Sequence, residues 1–117
     1  MGRVEYTPFR QFTLQDAAEA TGNGEALVLT DAHRGAESRF SLQVTGTFTG
    51  TVTFEATLDG TNWQACGLIN YADDAADLTA TAAGIFYLNC GGILQFRARI
   101  SAISDGSITV KAIVVPH

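Results

Sequence analysis

Residues 94–102, LQFRARISA, decide the fold of this chain. Leu94, Phe96, Ala98, Ile100 and Ala102 alternate with Gln95, Arg97, Arg99 and Ser101. A period of two sends apolar side chains to one face and polar ones to the other, the mark of a half-buried β-strand. The same alternation recurs on both sides of this stretch. Phe40, Leu42 and Val44 alternate with Ser41, Gln43 and Thr45, and Val52, Phe54, Ala56 and Leu58 with Thr51, Thr53, Glu55 and Thr57. Phe86 and Leu88 oppose Ile85, Tyr87 and Asn89. Ile108, Val110, Ala112 and Val114 close the series, with Thr109 and Lys111 facing out.

Between these strands lie turn signals. Asp59-Gly60 is a hairpin-type pair, Gly91-Gly92 reverses the chain, and Asp105-Gly106 turns it again. A further strand is expected from Trp63 to about Ile69, and a short one over residues 26–30, ALVLT. The whole reads as an all-β chain of about seven or eight antiparallel strands, in a β-sandwich or a jelly-roll-like barrel. The connections are too short for the crossover helices of a parallel sheet.

The first residues read differently. Pro8 breaks regular pairing, while Tyr6, Phe9 and Phe12 supply apolar anchors. Residues 1–14 are therefore expected to form an N-terminal arm, and residues 15–117 a single sandwich domain. Residues 15–20, QDAAEA, are helix formers but too few for a free-standing helix. Gly22-Asn23-Gly24 then forces a turn, and residues 31–37 form a polar loop.

Composition narrows the function. The chain has 117 residues, 46% of them hydrophobic, enough for one real core. Its net charge is −5 and its seven basic residues are scattered. Phosphate-backbone binding needs a clustered basic face, so nucleic acid is not an expected partner. Residues 1–12 carry no apolar run of signal-peptide or membrane-span length, and no membrane partner is expected. Tyr6 stands where a myristoylation motif wants Ser or Thr. Synthesis in a cytoplasm fits Cys66 and Cys90, each in an apolar run and read as buried free thiols, although a disulfide between neighbouring strands is also compatible.

Catalysis needs a convergent set of groups, and none is legible. His33 lies in a polar loop and His117 is the last residue; no nucleophile motif accompanies either. Asp73, Asp74 and Asp77 form an acidic loop without calcium-loop spacing. Glu55 and Asp59 are candidate paired carboxylates, but Asp59 already serves a turn. No enzyme, metal or cofactor is expected. Trp63 is the only tryptophan. It suits either a stacking platform for a sugar or a core or rim residue sealing the sheet end, and large aromatics are usually well buried.

Residues 46–65, GTFTGTVTFEATLDGTNWQA, residues 84–100, GIFYLNCGGILQFRARI, and residues 104–114, SDGSITVKAIV, follow one another in a telling order. This order resembles small β-sandwich virion components of tailed bacteriophages, over about residues 38–115. The turn Asp59-Gly60-Thr61-Asn62-Trp63 is its most telling part. The resemblance implies an assembly role: a capsid decoration or cement protein on the capsid surface, binding the major capsid protein and copies of itself, as a trimer. The apolar arm, Tyr6, Phe9 and Phe12, would supply partner contacts or cap the chain's own sandwich. The alternative is a tail- or fibre-associated carbohydrate-binding, host-recognition module that uses Trp63.

Overall fold

The computed structural model describes residues 10–29, 39–89 and 93–115. Among them no helix forms, and the strands assemble into two antiparallel sheets packed as a sandwich. The chain order is β1 (Arg10–Ala18), β2 (Leu27–Val28), β3 (Arg39–Thr45), β4 (Phe48–Thr57), β5 (Gln64–Ala65), β6 (Leu68–Asn70), β7 (Ala76–Asp77), β8 (Thr79–Ala80), β9 (Gly84–Asn89), β10 (Gln95–Gly106) and β11 (Ile108–Val115). The first sheet runs β1-β11-β3-β9-β6-β7; the second runs β2-β10-β4-β5, with β8 also paired to β4. The eleven described strands exceed the seven or eight expected, and the excess lies mostly in two-residue pieces.

The core is the inner face that the alternation defines. Phe40, Leu42 and Val44 of β3, Val52 and Phe54 of β4, Phe96, Ala98 and Ile100 of β10, and Ile108, Val110, Ala112 and Val114 of β11 are all buried. Aromatic rings from the two sheets meet at the centre. Phe40 lies 4.8 Å from Phe96, and Phe54 lies 5.1 Å from Phe86, centroid to centroid. Burying each such ring contributes about 1.5–3 kcal/mol of hydrophobic stabilisation.

The alternation fails at two places. Leu58, assigned to the inner face, is 72% exposed, while Thr57 is buried. The strand ends at Thr57, and the turn beyond it folds back over that residue. On β10 the register against β4 slips between Ile100 and Ala102, leaving Ala102 exposed and Ile103 packed against the core. A bulge of this kind adds one residue and re-aims the side chains beyond it.

The N-terminal region departs further from expectation. Strand β1 begins at Arg10 and pairs with β11, so a domain boundary after residue 14 falls inside a strand. Its helix-forming residues are drawn into the sheet by tertiary pairing, with irregularities after Thr13 and after Gln15. Ala17 adopts φ of 50° beside the second irregularity. The buried Gln15 amide donates 2.8 Å to the Ala98 carbonyl, tying β1 in the first sheet to β10 in the second. Phe12 is half-buried against the core, so it covers the chain's own sandwich. Of the strand expected over residues 26–30, the described residues 26–29 place Leu27 and Val28 in β2.

Two of the connections that carry the chain between the sheets lie side by side. Strands β3 and β4 are consecutive but lie in different sheets, as do β10 and β11. The closing segment is therefore a crossing between sheets and not a hairpin. The two crossings abut. A Cβ on Gly46 would collide with the Ser107 carbonyl, and one on Gly106 with the Thr47 carbonyl. Both glycines also have positive φ, 116° and 81°. No other residue fits where two backbones approach this closely.

Candidate functional site

The outer face of the second sheet gathers Glu55, Arg97, Arg99 and Trp63 into one group of charged and aromatic side chains. Its position follows from register. Glu55 of β4 stands opposite Arg97 of β10, and Thr53 stands opposite Arg99. All four belong to the outward set of the alternation. Arg97 donates from Nε to Glu55 Oε1 at 2.8 Å, and Arg99 from Nε to Oε2 at 3.1 Å. One carboxylate is thus shared by two guanidinium groups. Partial burial pushes the Glu55 carboxyl up, but the hydrogen bonds and charges of Arg99 and Arg97 outweigh it and hold it below its ordinary value.

Trp63 completes the group. Its ring lies over the Arg97 guanidinium, 4.1 Å from carbon to centroid. It is half-buried and stands outside the core, just ahead of β5. The expected continuous strand from Trp63 to Ile69 is instead split: β5 pairs with β4 in the second sheet and β6 with β9 in the first. Further along the same face the Thr53 and Ser101 hydroxyls share a 2.8 Å hydrogen bond, and Ser101 also donates to the Thr51 carbonyl.

The turn before Trp63 is held by its own side chains. Asp59 Oδ1 accepts the backbone N–H groups of Thr61 and Asn62, each at 2.8 Å, and Oδ2 accepts the Asn62 amide at 2.7 Å. The Thr57 hydroxyl donates to Asp59 Oδ1 and accepts the Gly60 N–H, both at 3.0 Å. The Asn62 N–H and side-chain amide, then the Thr61 N–H and the Thr57 hydroxyl, hold the Asp59 carboxyl far below its ordinary range. Glu55 and Asp59 are therefore both committed, one to arginines and one to a turn. They do not form an acid and base pair across a common substrate.

The remaining candidates fall elsewhere. Asp73 Oδ1 accepts the Ala75 N–H and Asp77 accepts the Asn70 amide, both inside the β6–β7 hairpin, while Asp74 occupies a positive-φ turn position. Cys66 is a free, half-buried thiol whose burial pushes its pKa up. Tyr6, Phe9, His33, Cys90 and His117 lie outside the described residues. What the sequence did not reveal was the Glu55–Arg97–Arg99 group. Each side chain was legible as outward, but only the register brings them together.

The XepA family model matches residues 9–114 of the chain. No curated protein sequence matches it. Two crystal structures share its fold. The SPBc2 prophage-derived protein YomS superposes with a TM-score of 0.80 at 21% identity, over 96% of this chain and 98% of YomS. The PBSX exported protein XepA superposes with a TM-score of 0.82 at 20% identity, over 96% of this chain. This chain spans only 39% of the length of that XepA.

Proposed function

The chain belongs to the XepA family, and from that premise we propose that it is a phage-associated structural protein that works through its surfaces and not by turnover. One observation carries the reading: the carboxylates best placed for chemistry are spent on the fold. Glu55 is held between two arginines and Asp59 closes a turn. A carboxylate held ionised by fixed partners is a poor proton donor or acceptor near neutral pH. The prophage origin of YomS, whose fold matches along nearly its whole length, agrees with a phage setting. PBSX XepA is an exported protein, which agrees with a virion or extracellular place of action.

In its finer form the proposal is attachment to the capsid surface, with the major capsid protein and two further copies of the chain as partners. The support is the order of sequence motifs from Gly46 to Val114. Sedimentation of the purified chain, alone and with expanded empty capsids, tests it. The proposal expects a trimer that pellets with the capsids. A monomer that stays in the supernatant would remove the capsid role.

A further inference from the structure

We propose that the outer face of the β4–β10 pair binds an uncharged glycan chain, with Trp63 as its stacking platform. Trp63 is not consumed by the core. Arg97 lies against one face of the indole, and its own side chain is left only 17% exposed. The guanidinium is itself anchored to Glu55 on the sheet. The Arg97 guanidinium thus takes one side of the ring, and the indole as a whole stays partly exposed. The C–H face of a pyranose ring stacks on such a surface, because an indole offers a flat, electron-rich, weakly hydrated plane.

Polar groups continue from the ring along the strands. Outward positions on one strand recur every second residue, roughly 7 Å apart. Arg97, Arg99 and Ser101 therefore form a track, flanked on β4 by Glu55, Thr53 and Thr51. Arg99 is 36% exposed and has N–H groups beyond those that meet Glu55. Thr79 of β8, paired to Thr53, adds an exposed hydroxyl at the margin. A row of hydroxyls and guanidinium N–H groups beside an aromatic plane is the complement of a ligand that alternates C–H faces with hydroxyl edges.

Charge selects among such ligands. The two guanidiniums already share Glu55, and the adjoining turn carries ionised Asp59. A polyphosphate strand gains affinity by engaging cations in excess, and with the Glu55 and Asp59 carboxylates set against two guanidiniums this face has no excess to concede. The whole chain carries net charge −5, which opposes a polyanion further. An uncharged saccharide needs neither concession and only exchanges its water for the hydroxyls and N–H groups in place. The inference concerns the isolated chain and does not depend on where the protein sits in a particle.

The test is a titration of the ¹⁵N-labelled full chain with cellohexaose and with chitohexaose, followed by NMR, with a ten-residue oligothymidylate and an oligogalacturonate in parallel. The proposal expects saturable shifts of the Trp63 indole N–H and of the Thr53, Arg99 and Ser101 amides with at least one neutral hexasaccharide. Trp63→Ala should weaken that binding about tenfold or more. Arg99→Gln, which leaves the Trp63–Arg97 stack in place, should weaken it less. If Trp63→Ala loses its dispersed spectrum, Arg99→Gln and the map of shifts carry the test. Silence with both neutral sugars would overturn the proposal. So would tighter binding of the oligothymidylate or oligogalacturonate, or shifts confined to the outer face of the first sheet.

Discussion

Asp59-Gly60 and Asp105-Gly106 are the same dipeptide at the ends of β4 and β10, and both glycines have φ of 81°. They send the chain to different places. After Asp59-Gly60 the chain returns to pair with β4 in the same sheet, through β5. After Asp105-Gly106 it leaves the second sheet and enters the first as β11. The surroundings differ as sharply. A Cβ on Gly60 would meet only the ends of Gln95 and Leu94, at 3.7 and 3.9 Å, whereas one on Gly106 would strike the Thr47 backbone. The first turn is open and is held by its own Asp59 carboxylate. The second is jammed against the reciprocal crossing at Gly46. A dipeptide sets the local backbone, and neighbouring backbone decides where the chain goes next.

Substitutions at these sites measure that difference. The largest effect is expected for Gly106→Ala, which combines left-handed strain with a backbone collision: a loss of about 2–5 kcal/mol, read from the denaturant midpoint. A loss below that of Gly60→Ala would mean that the two crossings do not abut. Glu55→Gln should cost about 1–3 kcal/mol, because it leaves two guanidiniums without their shared carboxylate. It acts on the open turn and not on the jammed one. Amide exchange should therefore quicken at Gly60–Trp63 through the loosened Arg97–Trp63 stack, and not at 46–48 or 106–108. Gly60→Ala should cost about 1 kcal/mol, the strain of positive φ alone.

The smallest expected effect is with acid. Asp59 and Glu55 both have folded-state pKa values depressed below their ordinary 3.8 and 4.5. Their contribution to stability is complete above those ordinary values and is lost as the pH falls below them. Asp59→Asn should flatten the decline in unfolding midpoint below pH 4 without changing the behaviour of Gly106. A decline that is unchanged in this variant would mean that the turn does not depend on the ionised carboxylate.

The comparison also explains what could be read from residues alone. Strands β3, β4, β10 and β11 were legible because one face is buried and the other solvated, so polarity alternates along the chain. Strand β1 was not. Its Gln15-Asp16-Ala17-Ala18 has helix composition, and it is a strand because β11 offers an edge and the Gln15 amide finds the Ala98 carbonyl. The bulge beyond Ile100 was hidden because Ala102 satisfies the alternation by type while Ile103 takes the core contact. At the candidate surface, Trp63 was identifiable as a residue with two possible roles. Its stack on Arg97 required the register of β4 against β10, which no local pattern encodes.

That register gives the β4–β10 pair one dry face and one working face, and a paired substitution tests this most directly. Phe54 is fully buried and Thr53 is its outward neighbour. Circular-dichroism melts of Phe54→Asp and Thr53→Asp should differ completely. An unpaired charge beside Phe86 and Phe96 should abolish the cooperative transition, while a carboxylate beside Arg99 should leave the midpoint within a few degrees of the parent, as about 1 kcal/mol or less would. Similar melts for the two variants would contradict the assignment of faces, and with it the surface on which the functional account stands.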